Sequence, residues 1–164
     1  MNIVLLEPEI PQNTGNIGRT CCATGTKLHL IEPMGFKINE KSVKRAGMDY
    51  WEHLDVTIYE SYEDFLEKNS KCENMEWQQL REPNRYSDVK FEENDYIMFG
   101  KESAGIPEEI LVENQEHAIR IPMNPQIRSL NLANSVAIVL YEALRQNDFA
   151  GMQMEGHLRK YDWK

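Results

Sequence analysis

Short apolar runs alternate with longer amphipathic stretches from one end of the chain to the other. The runs are rich in β-branched and aromatic residues and are bounded by Gly, Pro or Asn, a pattern typical of buried strands. They are "NIVLLE" (2–7), "KLHLIEP" (27–33), "VTIYE" (56–60), "DYIMFG" (95–100) and "AIRIP" (118–122). The alternation also requires a strand between Lys71 and Tyr86, where apolar positions are sparse, so a weaker strand is predicted there.

The stretches between these runs carry apolar residues at helical spacing, together with start and stop signals for helices. The predicted helices cover residues 14–25, 38–47, 61–69, 107–114 and 130–146. Gly25 and Gly47 end the first two, Ser61 caps the third with Asp64 three positions on, and Pro107 stands in the first turn of the fourth. The pattern predicts an α/β fold in which helices cover both faces of a mostly parallel sheet. Residues 1–164 are expected to form a single domain.

The last predicted helix is apolar on more than one side. A core stripe at 3.6-residue spacing consists of Leu132, Ala133, Val136, Val139, Leu140, Ala143 and Leu144. Ala137, Ile138 and Tyr141 add apolar surface outside that stripe. A helix that is apolar nearly all round needs cover on two sides. We therefore expect a homodimer packed through this helix, with Tyr141 close to the subunit contact.

Composition narrows the class of protein. With 164 residues, 41% of them hydrophobic and 27% charged, the chain matches an ordinary soluble globular protein. No apolar run reaches the roughly 18 residues of a membrane span, and the N-terminus lacks the basic region of a signal peptide, so a cytoplasmic protein is expected. The three cysteines, Cys21, Cys22 and Cys72, fit neither a disulfide framework nor a zinc pattern. The four histidines form no metal-binding motif either, so no metal is expected.

The net charge of −9 argues against a nonspecific nucleic-acid coat, because such binding depends on phosphate neutralisation by Lys and Arg. A local basic patch remains compatible with that total. In "KSVKRAG", Lys41, Lys44 and Arg45 stand at helical spacing and share one face. This face either contacts RNA or is only a solvated helix surface.

The stretch "PQNTGNIGRTCCATG" (11–25) reads as a strand end, a glycine-punctuated turn and a helix. A dinucleotide fingerprint requires a glycine where Asn13 stands, so that motif is incomplete. Arg19 follows at the mouth of this turn, where its planar guanidinium suits phosphate oxygens, although an ordinary surface arginine is an equal alternative.

Two further stretches follow predicted strands in the same way. In "FGKESAGIP" (99–107), Lys101 is followed by Glu102, where a phosphate-binding P-loop requires Ser or Thr, so a P-loop is rejected. The stretch follows a predicted strand, which places Glu102 and Ser103 at the carboxyl end of the sheet. "IPMNPQIRSLNLANS" (121–135) crowds polar residues before the apolar last helix, namely Arg128, Ser129, Asn131 and Asn134. All three stretches lie at one sheet edge and predict one composite site, without the nucleophile and base of a hydrolase.

Taken in order, "PQNTGNIGRTC", "FGKESAGIP" and "RSLNLANSVAIVLYEALRQ" closely resemble the three motifs of the SpoU-type branch of the SPOUT methyltransferases. The similarity extends to "LHLIEPMGF" and "AGMDYWEH" and so covers nearly the whole chain. The resemblance implies a sheet with a C-terminal deep trefoil knot, S-adenosylmethionine bound in that knot, and a site completed by a second subunit. It also implies methylation of the ribose 2′-hydroxyl of the wobble cytidine or uridine in the anticodon loop of leucine tRNAs.

The resemblance assigns roles to residues. The implied cofactor pocket consists of Gln78, Gly100, Ile121, Ser129 and Leu130, contributed largely through backbone groups. The implied catalytic set consists of Arg19, Asn13, Glu102, Ser129 and Asn131. Apart from the resemblance, local positive charge is expected to suffice for RNA binding despite the acidic total, and the residues expected to supply it are Arg19, Lys41, Lys44, Arg45 and Arg128. Because a guanidinium is essentially always protonated, Arg19 is expected to stabilise the developing alkoxide and grip a phosphate rather than act as a base.

Other functions are compatible with the same scaffold. One is a noncatalytic RNA- or nucleotide-binding module, since fold alone does not establish function. Another is 2′-O-methylation at a different RNA site. A nucleotide-dependent oxidoreductase is disfavoured, because the first glycine of the fingerprint is missing and only Glu32 closes the second strand with an acidic residue.

Overall fold

The computed structural model of the protein describes residues 1–38, 50–70, 75–78, 84–158 and 160–161. Its strands are β1 Asn2–Leu6, β2 Lys27–Ile31, β3 Val56–Tyr59, β4 Met75–Gln78, β5 Asn84–Arg85, β6 Tyr96–Phe99 and β7 Ala118–Arg120. They form one seven-stranded sheet in the order β3-β2-β1-β6-β4-β7-β5. Its strand pairs are parallel. The parallel sheet and the predicted strands are therefore confirmed, and the segment of sparse apolar residues holds two short strands, β4 and β5, where one was expected.

The helices are α1 Pro11–Thr24, α2 Tyr62–Lys68, α3 Glu108–Glu113 and α4 Leu132–Gln146, with 3₁₀ turns at Trp51–His53 and Gln115–His117. Two predicted caps are confirmed, since the Ser61 hydroxyl accepts from the Asp64 backbone N–H and Gly25 ends α1 in the left-handed region. Pro107 is the N-cap of α3 rather than a residue of its first turn, and Gly47 lies outside the described residues. The helix predicted at 38–47 lies outside the described residues from position 39 onward. The prediction that helices cover both faces of the sheet is therefore tested on the four helices above.

Helix α1 corrects the sequence-based interpretation of its own first residues. The segment read as a glycine-punctuated turn is helical from Pro11, three positions before the predicted start. Proline suits the first turn of a helix, where its missing N–H costs nothing. The correction therefore concerns residues 11–13, while Gly15 and Gly18 lie inside the helix and Arg19 lies two turns into it.

The core has two parts, one on each face of the sheet. Side chains of β1 alternate between the two faces. On one face they meet α1 and α4 through residues such as Ile17 and Val139. On the other face they meet α2 and α3 through Phe65 and Leu111. Helices therefore cover both faces, as the alternation of the sequence predicts.

Helix α4 buries most of the predicted stripe. Val136, Val139, Leu140 and Ala143 are inaccessible to solvent, whereas Leu132 and Ala133 are half-buried against the same core. Outside the stripe, 37% of Ile138 and 44% of Tyr141 remain exposed. None of the helices in the described part of the chain has the length and apolar character of a membrane span.

Candidate active site

The loop after β1 and the loop after β6 are joined by side chains. Lys101 donates from Nζ to the carboxylate of Glu7 over 2.7 Å. Glu9 accepts from the backbone N–H of Ser103 over 2.9 Å and from its hydroxyl over 2.8 Å. These hydrogen bonds lower the pKa of the Glu9 carboxyl, which keeps it ionised in its role as a double acceptor. The carboxyl ends of two adjacent strands are thus held in one arrangement.

Glu102 fixes the start of helix α1. Its carboxylate accepts from the backbone N–H groups of Glu9 over 2.8 Å and of Ile10 over 3.3 Å. Ile10 is the N-cap residue and its side chain makes no capping hydrogen bond. The Glu102 carboxylate, from another loop, instead accepts from backbone N–H groups at this end of the helix and interacts favourably with its positive dipole. The same carboxylate accepts from Asn13 Nδ2 over 2.9 Å.

The network continues from α1 to the start of α4. Asn131 donates from Nδ2 to Oδ1 of Asn13 over 2.9 Å. Its own Oδ1 accepts from the backbone N–H groups of Ala133 over 2.9 Å and Asn134 over 3.3 Å, which makes it the N-cap of α4. The structure therefore brings together, in one hydrogen-bonded chain, three residues predicted from three separate sequence stretches.

A cavity of about 300 Å³ lies beside this network. It is lined by Ile10, Asn13, Gly100, Lys101, Glu102, Gly105, Ser129, Leu130, Asn131, Leu132 and Ser135. The lining thus combines backbone at glycine, hydroxyl and amide side chains, and apolar surface, which is the usual make-up of a small-molecule site. Three residues predicted to bind a cofactor, Gly100, Ser129 and Leu130, lie in this lining.

Gly100 is fixed by close backbone approach. A Cβ at this position would stand 2.0 Å from the carbonyl carbon of Gly105 and 2.2 Å from the nitrogen of Ile106. The loop folds back on itself here, because Gly105 donates its N–H to the Lys101 carbonyl over 2.7 Å and has a φ of +76°. Only glycine at position 100 leaves room for this return.

Two other predicted cofactor residues, Ile121 and Gln78, do not line the cavity. Ile121 is 6% exposed and packs in the core. Gln78 ends β4 with its backbone opposite Phe99, one position before Gly100. Arg128 is exposed and directly precedes Ser129 of the lining.

Arg19 also lies outside the cavity lining. It is exposed on α1, and its guanidinium carbon stands 4.8 Å from the ring centroid of Tyr50. Asn13 and Arg19 are six positions apart, about 9 Å along a helix axis and on different faces. Within a single chain, the predicted catalytic arginine and the amide network therefore belong to different surfaces of the same helix.

The remaining predicted site features are placed as follows. Lys41, Lys44 and Arg45 lie outside the described residues. Cys21 is buried in α1, and burial raises the pKa of its thiol to about 12, so it is unreactive as a thiolate at neutral pH. Within the described ranges, no group of three or more His, Cys, Asp or Glu side chains is placed to hold a metal ion.

Sequence reasoning missed Glu7, Glu9 and the role of Lys101. Their signal is present in "LEPEIP", where two carboxylates follow a buried strand at the edge of the sheet that carries the site. What the sequence does not display is their pairing with the loop at 101–103, across 94 positions of chain.

Comparison with known proteins decides the family. The model of the SpoU rRNA methylase family matches residues 1–141. The chain belongs to this family. It is 47% identical over 159 residues to a putative tRNA (cytidine(34)-2′-O)-methyltransferase of Listeria innocua, covering 94% of this chain and 92% of that protein. It is also 47% identical to the tRNA (cytidine(34)-2′-O)-methyltransferase of Escherichia coli K12 over 152 residues, or 92% of this chain and 96% of that enzyme.

Solved structures share the fold. A putative RNA methyltransferase from Bacillus anthracis superposes with a TM-score of 0.89 at 45% identity, over 94% of this chain and 98% of that one. A structure that concerns 2-OH methylation of C/U34 on tRNA gives 0.84 at 43% identity, over 90% and 95%. The AdoMet-bound rRNA methyltransferase from Sinorhizobium meliloti gives 0.76 at 26% identity, over 88% of this chain and 55% of that one.

Proposed function

We propose that this SpoU family protein methylates the ribose 2′-hydroxyl of the wobble nucleotide, C or U at position 34, of a tRNA, with S-adenosylmethionine as the methyl donor. The observation that carries the proposal is the amide and carboxylate network of Glu102, Asn13 and Asn131 beside a cavity of about 300 Å³. Its support is the family membership and the tRNA (cytidine(34)-2′-O)-methyltransferases to which the chain is 47% identical.

The cavity fits the proposed cofactor in its size and lining. A volume of about 300 Å³ is at the lower end of the range for small-molecule sites. Ser129, Asn131 and Ser135 offer polar atoms for a ribose or an amino-acid head, and Leu130 and Leu132 offer apolar surface for an aromatic base. The backbone at Gly100, together with Gln78 and Ile121, completes the set proposed to hold the cofactor. When bound, S-adenosylmethionine supplies an electrophilic methyl group on a sulfonium centre.

Arg19 is proposed to hold the RNA. Its cation stabilises the negative charge that develops on the 2′-oxygen as the hydroxyl proton passes to solvent water, and its fork binds a neighbouring phosphate. A guanidinium is too weak a base to take the proton itself. Within its own chain Arg19 lies outside the cavity lining, so replacing it is not expected to weaken cofactor binding in that chain.

A homodimer is proposed to complete the site. The separation of Arg19 from the cavity supports this arrangement, since a second subunit can present its arginine to the cavity of the first. The partly exposed Ile138 and Tyr141 on α4 supply apolar surface for the contact. Arg128 and the basic patch of Lys41, Lys44 and Arg45 are proposed to add local positive charge for RNA in a chain of net charge −9.

Three finer proposals follow from the resemblance. Leucine tRNAs are the proposed substrates, and the cytoplasm is the proposed location. The C-terminal part is proposed to thread through a loop as a deep trefoil knot.

The test is methyl transfer to an anticodon stem-loop of a leucine tRNA, with methyl-labelled S-adenosylmethionine. Label is expected at the wobble ribose, and a stem-loop with a 2′-deoxy wobble nucleotide should accept none. Arg19→Ala should abolish transfer while calorimetric affinity for S-adenosylhomocysteine changes little, and Arg85→Ala, an exposed arginine on β5, should retain activity.

Each contrary result has a defined meaning. Cofactor binding without transfer to any tRNA would favour a noncatalytic binding module. Transfer to another RNA ribose would keep the chemistry and reject the wobble position. If Arg19→Ala lost cofactor affinity and kept turnover at saturating cofactor, the assignment of RNA to α1 and of cofactor to the cavity would be reversed.

A further inference from the structure

The exposed guanidinium of Arg19 rests on an aromatic ring. Its carbon lies 4.8 Å from the centroid of the Tyr50 ring, within the range of a cation–π contact. Tyr50 is half-buried and directly precedes the 3₁₀ turn Trp51–His53. An arginine side chain left alone at a surface samples many rotamers, and ordering it on demand costs entropy. The ring therefore limits where this cation can be.

Tyr50 is itself attached to helix α1. Its hydroxyl donates a hydrogen bond to the backbone carbonyl of Gly15. Gly15 and Arg19 are four positions apart and lie on the same face of the helix. Tyr50 thus makes a hydrogen bond to the helix backbone at Gly15 and a cation–π contact with Arg19, one turn further along the helix.

The close approach of this turn depends on a second glycine. A Cβ at Gly18 would stand 3.1 Å from the Leu54 side chain, 3.2 Å from Trp51 and 3.5 Å from Tyr50. The bare helix surface at this glycine is what allows residues 50–54 to pack directly on α1. Gly18 therefore makes room for a protein segment, where the sequence alone suggests room for a phosphate.

We infer that Tyr50 is a positioning residue for Arg19, which holds the guanidinium in place on α1 before the RNA arrives. The inference rests on the proposed function, because it assumes that Arg19 acts on the RNA. Preorganised cations stabilise developing charge without a reorganisation cost at the moment of reaction. Small displacements of such a group are costly, because catalysis depends on its position.

The test is a set of Tyr50 variants in the stem-loop assay. Tyr50→Leu removes the ring and should lower kcat/KM for the stem-loop by about fivefold or more. Tyr50→Phe keeps the ring and should retain most of the activity. Affinity for S-adenosylhomocysteine should be unchanged in both. Equal losses in the two variants, or no loss in Tyr50→Leu, would overturn the inference.

A double-mutant cycle separates positioning from a general structural role. The affinity of the stem-loop is measured for wild type, Tyr50→Leu, Arg19→Ala and the double variant. If Tyr50 acts through Arg19, the loss caused by Tyr50→Leu should disappear in the Arg19→Ala background. Additive losses would mean that Tyr50 acts independently of the arginine and would refute the inference.

The cycle also distinguishes this inference from the proposed function. If wild type fails to methylate the stem-loop, the proposed function fails. The coupling is then read from the same cycle in urea unfolding, where non-additivity supports the contact and additivity rejects it. Should Tyr50→Leu not fold, Gly18→Ala replaces it, since the new methyl group would press on Trp51 and Leu54 beside the ring.

Discussion

Asn131 donates a hydrogen bond from Nδ2 to Oδ1 of Asn13 over 2.9 Å, although the two residues are 118 positions apart in sequence. The bond sets the orientation of both amides. With its oxygen engaged by Asn131, Asn13 turns its NH₂ group to the Glu102 carboxylate at 2.9 Å. The Asn13 side chain therefore links helix α1 to two other elements, because it donates to the loop after β6 and accepts from the N-cap of α4.

Replacing Asn13 by Asp should break this coupling with almost no change in shape. Asp has no donor for Glu102, so two carboxylates would stand at hydrogen-bond distance and repel each other. We expect Asn13→Asp to lower the free energy of unfolding by about 1–3 kcal/mol and to weaken S-adenosylhomocysteine binding. Urea denaturation and calorimetry at neutral pH measure the two effects.

A matched control for this change is Asn16→Asp, on the exposed side of the same helix. It adds the same charge to α1 without touching the network, so it should leave cofactor affinity as in wild type. Equal effects of the two variants would show that charge on α1 matters and that the network does not.

Gly100→Ala should be one of the most damaging single changes in the cavity. The added methyl group would lie 2.0 Å from a backbone atom of Gly105, which cannot move without opening the loop. We expect a loss of at least about 2 kcal/mol in the free energy of unfolding, together with loss of cofactor binding. Gly156→Ala is the control, because nothing lies within 4 Å of the position that its methyl group would occupy. A Gly100→Ala variant that binds cofactor normally would contradict the closed loop.

The strands were predictable because each buried parallel strand is a short apolar run, as "NIVLL" and "YIMF" show. The sequence places the start of α1 three residues too late, because the polar residues after Pro11 imitate a turn. The side chains that leave room only for glycine at position 18 are those of Trp51 and Leu54, 33 and 36 positions away. The same limit explains the missed pair of Glu9 and Ser103: long-range pairing of polar groups leaves no periodic signal in one sequence.

His29 should make stability depend on pH in the acid range. It is 5% exposed, its Nδ1 shares a 2.8 Å hydrogen bond with the Tyr59 hydroxyl, and burial lowers its pKa to about 4. In the unfolded chain its pKa is about 6.5. Above pH 6.5 His29 is neutral in both the folded and the unfolded chain, so the folded state has its full stability there. As the pH falls toward 4 only the unfolded chain gains the proton, so about 3 kcal/mol is lost.

The measurement is urea unfolding of wild type and His29→Gln at several pH values between 7 and 4. The variant should be less stable at neutral pH and should lose less stability on acidification, so the two curves converge. His53→Gln, at an exposed histidine, should follow the wild-type curve. Parallel curves for wild type and His29→Gln would show that His29 does not resist protonation.

Tyr141→Glu should weaken the proposed homodimer. Ile138 and Tyr141 lie three positions apart on one face of α4, are 37% and 44% exposed, and face away from the buried stripe of Val139 and Ala143. A carboxylate placed among apolar side chains at a contact must lose its hydration, which costs far more than it does at an open surface. The dimer dissociation constant should therefore rise at least about tenfold, or about 1.4 kcal/mol, in sedimentation equilibrium.

The matched control for Tyr141→Glu is Val112→Glu, at a 78% exposed apolar residue of α3. It places the same carboxylate on another apolar surface residue and should leave the dimer dissociation constant unchanged. Because the arginine of one subunit is proposed to serve the cavity of the other, methyl transfer by Tyr141→Glu should recover as protein concentration rises. If the wild-type chain were monomeric by light scattering at micromolar concentration, the proposed homodimer would be rejected, and Arg19 could act only in its own subunit. If Tyr141→Glu were as dimeric as Val112→Glu, α4 would not form the subunit contact.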